Sequence, residues 1–180
     1  WGQLQQIKAA LMQRMFPKEG ADEPELRFDG FSGAWERTTL GSVAKISSAA
    51  RVHKSQWKTA GVPFYRASDV TAFKNGTVNP KAFISFDLYE KLTVTSGRLQ
   101  KGDLLVVGGG TVGVPHIGPP DEPLYSKDAD LLWLKPLPSA VSEYLATYLT
   151  SQGFQRYLKS ISHSGTIAHY TIVQAKGTAL

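Results

Sequence analysis

Residues 41–66 contain Lys45, Arg51, Lys54, Lys58 and Arg66 and no aspartate or glutamate. The segment carries a local charge of +5, the formal charge of the whole 180-residue chain. The other segments therefore cancel one another, and residues 21–40 and 102–135 each come to −3. A stretch like this is either a solvated basic face or a surface that meets a polyanion. His53, Gln56, Trp57 and Tyr65 lie among the cations. Side chains of these types hydrogen-bond or stack beside phosphate contacts, which favours the polyanion.

Other spacings that could do chemistry lack their companions. Gly108, Gly110 and Gly113 satisfy G-x-G-x-x-G after an apolar run, as in a dinucleotide site. Such a site needs a helix whose N-terminus faces the pyrophosphate, and Pro115, Pro119 and Pro120 forbid one here. The alternative is a glycine-rich turn between two strands. Ser42 with Lys45, and Ser55 with Lys58, match S-x-x-K, but the other motifs of serine-acylating enzymes are missing. His53, His116, His163 and His169 show no metal-binding spacing, and no lysine has a carboxylate two residues before it, as metal-dependent nucleases require. No amino-methyltransferase tetrapeptide is present either: Asn79-Pro80-Lys81 diverges at its third residue. A basic domain without a catalytic constellation is expected to bind something and not to transform it.

The elements that must position these residues follow from pattern. Hydrophobic residues make up 42% and aromatics 11% of the chain, which excludes a disordered tail or a fibrous repeat and demands a core. There are no cysteines, so disulfides, thiolate metal sites and a cysteine nucleophile are excluded. No apolar run is long enough to span a bilayer, and the N-terminus is amphipathic and unlike a signal peptide; a soluble, cytoplasmic protein is expected. Leu4, Ile7, Leu11 and Met15 form a narrow apolar stripe over residues 3–16, which Pro17 and Gly20 end. A helix this short is marginal alone, so it needs a partner helix or a seat on its own body. Residues 17–34, rich in Pro, Gly and acid, read as a connector, and the globular domain is expected to begin near Trp35.

Beyond it, residues 40–44 predict a helical turn and 62–66 a strand. Asn75-Gly76 is the strongest hairpin dipeptide, and Ser85 suits a helix N-cap. Residues 104–107 and 130–134 read as buried strands. Val141, Tyr144, Leu145, Tyr148 and Leu149, then Phe154, Tyr157, Leu158 and Ile161, predict two successive amphipathic helices. Residues 162–171 read as a polar surface loop. The expected fold class is mixed α/β, α+β in character, with short strands and short helices.

The run LMQRMFPKEG (11–20) followed by PELRFDGFSGAWERTTLGSVAKI (24–46) resembles a junction in the specificity (S) subunits of type I restriction-modification systems, where a spacer helix ends and a target recognition domain begins. VPFYR (62–66) with Ser68-Asp69, KGDLL (101–105), Gly110-Thr111-Val112-Gly113, the paired C-terminal helices and the Ser/Gly/Thr loop extend the resemblance over nearly the whole chain. It implies the end of a spacer helix at 1–16, a connector at 17–34 and a DNA target recognition domain at 35–180. It further implies no catalysis in this chain. Methyltransferase subunits using S-adenosylmethionine and restriction subunits using ATP and Mg would be the partners, in a bacterial or archaeal cytoplasm. Leu4, Ile7, Leu11 and Met15 would then pair with the spacer helix of a second recognition domain or of a second copy. Carrying one recognition domain where the family has two, the chain would be a fragment or a half-subunit.

On this reading duplex DNA is the ligand. Arg51, Lys54, Lys58 and Lys74 are nominated for phosphate contacts. Arg66, Ser68, Asn75, Thr111, His163, Ser164, Thr166 and His169 are nominated for base edges, and Tyr65 for contact or core. If Arg66 pairs bidentately with guanine, as expected of an arginine at a base edge, its replacement by alanine should cost about 1–3 kcal/mol and relax preference at one base. The alternative is a protein–protein module whose helix recruits a partner and whose basic patch is incidental; a nucleotide-dependent activity on the glycine loop stands third.

Overall fold

Residues 104–107 and 131–134 are apolar at every position, and strands of that kind are stable only when both faces are covered. The computed structural model, which describes residues 2–118, 123–126, 130–161 and 169–180, covers both. In chain order its elements are α1 (Gly2–Met15), α2 (Leu40–Val43), β1 (Ala44–Ser47), a 3₁₀ turn (Lys54–Gln56), β2 (Val62–Tyr65), α3 (Ala67–Asn75) and β3 (Ala82–Ile84). Then follow α4 (Phe86–Ser96), β4 (Leu104–Val107), β5 (Pro115–Ile117), β6 (Tyr125–Ser126), β7 (Leu131–Pro136), α5 (Ser142–Tyr148), α6 (Gln152–Ile161) and α7 (Ile172–Lys176). The fold class is mixed α/β, as the sequence predicts.

Four strands form an antiparallel sheet in the order β1-β7-β4-β5, with Leu134 opposite Ile46 on one side and Leu104 on the other. Strand side chains alternate between faces. Ile46, Leu104, Val106, Leu132 and Leu134 meet Leu40, Leu145, Phe154, Leu158, Tyr170 and Ala175, so α2, α5, α6 and α7 cover one face. Leu105, Val107, Leu131 and Trp133 form the other face and receive Val70 of α3. A second sheet, in the order β3-β2-β6, builds a smaller core from Val62, Phe64, Ala82, Ile84 and Tyr125 with Val52 and Tyr89. Ser85 caps α4 as expected, its hydroxyl accepting from the Leu88 N–H at 3.3 Å.

Two turns settle readings left by the sequence. Asn75-Gly76 does not make a hairpin: it ends α3, with Gly76 at φ 65° as a left-handed C-cap. Both turns need a positive φ, so the dipeptide alone does not separate them. The glycines at 108–113 join β4 to β5, the Gly113 N–H donating to the Val107 carbonyl at 2.7 Å. A Cβ on Gly113 would stand 2.4 Å from Leu158 Cδ1, and one on Gly109 2.4 Å from Asp130 Oδ1. Close approach to α6 and to Asp130 requires these glycines, and the segment after them is a strand, not a helix.

Lys101-Gly102-Asp103 makes the turn into β4 through a buried carboxylate. Asp103 Oδ2 accepts the Trp133 Nε1–H at 2.8 Å and the Gln100 N–H at 2.9 Å. Asp103→Asn keeps an acceptor there but removes the charge that strengthens both bonds. A loss of about 1 kcal/mol is expected in urea denaturation, with the β4–β5 end loosening first in hydrogen exchange.

Candidate nucleic-acid interface

The smaller core sets out the basic stretch. Val52 is buried in it, which leaves its neighbours Arg51 and His53 exposed. The 3₁₀ turn follows, with the His53 N–H held by Gln56 Oε1 at 2.8 Å and Lys54 exposed. Lys58 is pinned by its backbone, its N–H donating to the Phe83 carbonyl at 2.8 Å, so its side chain leaves from the edge of the second sheet. Among the described residues, Arg51, Lys54, Lys58, Lys74 and Lys81 are exposed and have no carboxylate partner. In residues 41–81 the single acid, Asp69, is buried.

Asp69 is where Arg66 is spent. Arg66 Nε donates to Asp69 Oδ2 at 2.7 Å and Nη2 to Oδ1 at 2.8 Å, a bidentate pair, and Nη2 also donates to the Pro80 carbonyl at 2.7 Å. Its guanidinium lies 5.4 Å from the Trp57 ring centroid. The pair is largely withdrawn from solvent, with side chains 19% and 8% exposed. Asp69 also accepts the Arg66 N–H at 2.8 Å and Asn79 Nδ2 at 2.7 Å. Burial pushes the Asp69 carboxyl up, but these donors outweigh it and hold it below the usual carboxylate range. The expectation that Arg66 pairs with guanine is therefore revised, because the fork it would offer to a base already holds Asp69 and Pro80.

This clasp draws together the segment around Trp57, the start of α3 and residues 79–80. Ser68 is exposed beside it and accepts Asn79 Nδ2 at 3.1 Å. Lys74 and Asn75 sit exposed at the other end of α3. Tyr65 is half-buried against Phe73 and His116, which stack on each other with centroids 4.7 Å apart. Burial lowers the His116 pKa, so the ring is neutral at neutral pH.

Thr111 and His169 form a second group at the glycine turn. Thr111 is exposed, and His169, exposed too, bridges Gly109 with its Nδ1 3.8 Å from Asp130 Oδ1. His163, Ser164 and Thr166 lie outside the described residues. The helix α1 touches the body at its end: Phe16 packs against Trp35 and Tyr148, each with centroids 5.9 Å away. Farther out its stripe is bare, with Leu4 68%, Ile7 56% and Leu11 40% exposed and Met15 half-buried. Sequence reasoning missed the roles of Asp69 and Asn79; Asp three residues after Arg at a strand-to-helix junction was the available signal.

No protein-family model matches the chain. The two sheets, their helices and the leading α1 match in fold a part of solved specificity subunits of type I restriction-modification systems. The HsdS subunit from Thermoanaerobacter tengcongensis superposes with a TM-score of 0.62 at 20% identity, over 99% of this chain and 39% of that one. A chain of a type I system solved for its complex assembly and conformational transition gives 0.61 at 21%, over 99% and 40%. The S subunit from M. genitalium gives 0.55 at 14%, over 86% and 35%. In sequence, 98 residues are 31% identical to a Haemophilus influenzae protein assigned as a type I restriction enzyme specificity subunit, over 53% of this chain and 23% of that protein. The chain thus resembles the specificity subunit of a type I restriction-modification system in sequence as well as in fold, and spans less than half the length of each of these relatives.

Proposed function

We propose that residues 35–180 are a target recognition domain that reads duplex DNA by sequence, and that 1–16 are the end of a spacer helix. The domain directs methyltransferase and restriction subunits to their target and performs no catalysis. S-adenosylmethionine, ATP and Mg belong to those partner subunits, in a bacterial or archaeal cytoplasm. The observation that carries this reading is the set of exposed cations without carboxylate partners, Arg51, Lys54, Lys58, Lys74 and Lys81, in a stretch whose single acid is buried in the Arg66–Asp69 clasp. These contact phosphates; Ser68, Asn75, Thr111 and His169, with His163, Ser164 and Thr166 outside the described residues, supply groups for base edges. Among the described residues no helix is long and apolar enough to cross a membrane.

Replacing Lys54 by alanine is expected to weaken every duplex alike, by about fivefold at about 0.15 M salt, and to flatten the slope of log affinity against log salt by about 0.9. Fluorescence anisotropy against cognate and random duplexes measures both. A second reading rests on the bare stripe of α1: a module that recruits a protein by its helix, with an incidental basic patch. Its binding would change little with salt, and the same titration separates the two.

A further inference from the structure

Val78 is 98% exposed, although Asn79 beside it is held by Ser68 and Asp69. The loop that carries it is built and held firm. Gly76 closes α3 with φ 65°, the Thr77 N–H donates to the Ala72 carbonyl at 2.9 Å, and the Pro80 carbonyl takes Arg66 Nη2. The chain then enters β3, where Ala82 pairs with Phe64. Gly76, Thr77, Asn79 and Pro80 are thus held by their neighbours, while the side chain of Val78 is bare, with the exposed Lys74 four residues before it and the exposed Lys81 three after it.

A single β-branched apolar side chain, almost wholly exposed and flanked in the chain by two cations, is a small target for a protein partner, whose contact would need a contiguous apolar patch. It fits a nucleic-acid groove well. The lysines meet phosphates on either side, and the thymine 5-methyl is the one apolar group that base pairs present in the major groove. We propose that residues 76–81 enter the major groove and that Val78 packs on a thymine methyl, making it a specificity-determining residue. The proposal rests on the DNA-recognition reading above and adds to it a base and an atom. The clasp is then a positioning device: by fixing Asn79 and Pro80 it holds the tip ready before DNA arrives, so little ordering remains for binding.

The test is a uracil scan. A target duplex selected by the protein is remade with each thymine in turn replaced by deoxyuridine, which removes the methyl group alone. At one position the protein is expected to lose about fourfold in affinity, the worth of one buried methyl. Val78→Ala binds the unmodified duplex more weakly, loses nothing further with uracil at that position, and melts with the parent because the side chain touches no core. A target bound specifically, in which no uracil position responds differently in the parent and in Val78→Ala, overturns the proposal and leaves DNA recognition standing. Failure to select any target overturns the reading beneath it and the proposal together.

Discussion

Replacing Arg51, Lys54 and Lys58 together by glutamine is expected to weaken duplex binding by about two orders of magnitude at about 0.15 M salt, with the fold unchanged. The size follows from counterion release. Each lost phosphate contact removes about 0.9 from the slope of log affinity against log salt, so three remove about 2.7, which at this salt is somewhat over a hundredfold. The fold is spared because all three side chains are exposed and without carboxylate partners, so their replacement changes stability by no more than about 0.5 kcal/mol. Anisotropy titrations at several salt concentrations, with a thermal melt alongside, give both quantities. Unchanged affinity in the triple variant would assign these cations to solubility and turn attention to the stripe of α1.

Replacing Arg66 by alanine is expected to act on the fold itself, with a loss of about 3 kcal/mol in chemical denaturation. Removing one partner of a buried pair strands the other charge, and Asp69 would keep only the Arg66 N–H and Asn79 as donors. Arg66→Lys is expected to recover little, because a point charge reproduces neither the two-pronged contact nor the reach to the Pro80 carbonyl. Asp69→Ala with Arg66→Ala should lose less than the sum of the two single changes, the mark of a direct pair. The pH dependence has a definite sign. The folded-state pKa of Asp69 lies below its unfolded value, so its contribution is complete above the unfolded pKa and is lost as pH falls through the folded one. In Arg66→Ala that acid-side loss shrinks. DNA binding weakens as well, through the disordering of residues 76–81, and the salt slope falls only by the share that Lys81 contributes, since Arg66 is not itself a phosphate contact.

The strand β4 and residues 131–134 of β7 were legible because they are apolar at every position, and α5 and α6 because their apolar residues recur at helical spacing through about two turns or more. The strand β5 has three residues and β6 two, too few for any period to show. The helix α3 was missed for a related reason: only Asp69 and Val70 are buried along its nine residues, and its Asn75-Gly76 end imitates a hairpin. Strand order rests on pairings such as Ile46 with Leu134, between segments far apart in the chain, which local pattern does not encode. The interface was legible as charge but not as availability. Lys54 and Arg66 both count as cations of the basic stretch, and the fold turns one to solvent and the other onto Asp69 and Trp57, with Asp69 three residues after Arg66 the one hint in the sequence. Val78 carried no signal at all, because an apolar residue in a loop is ordinary until its surroundings leave it bare.

Sequence-specific recognition is tested most directly by selecting bound duplexes from a random library with the protein assembled with methyltransferase subunits, then titrating the enriched duplex between about 0.05 and about 0.2 M salt. The expected result is one defined set of enriched bases, affinity at least about a thousandfold above random duplex, and a steep loss of affinity with salt. A pool that stays random after selection, or binding indifferent to salt, would contradict DNA recognition by this domain.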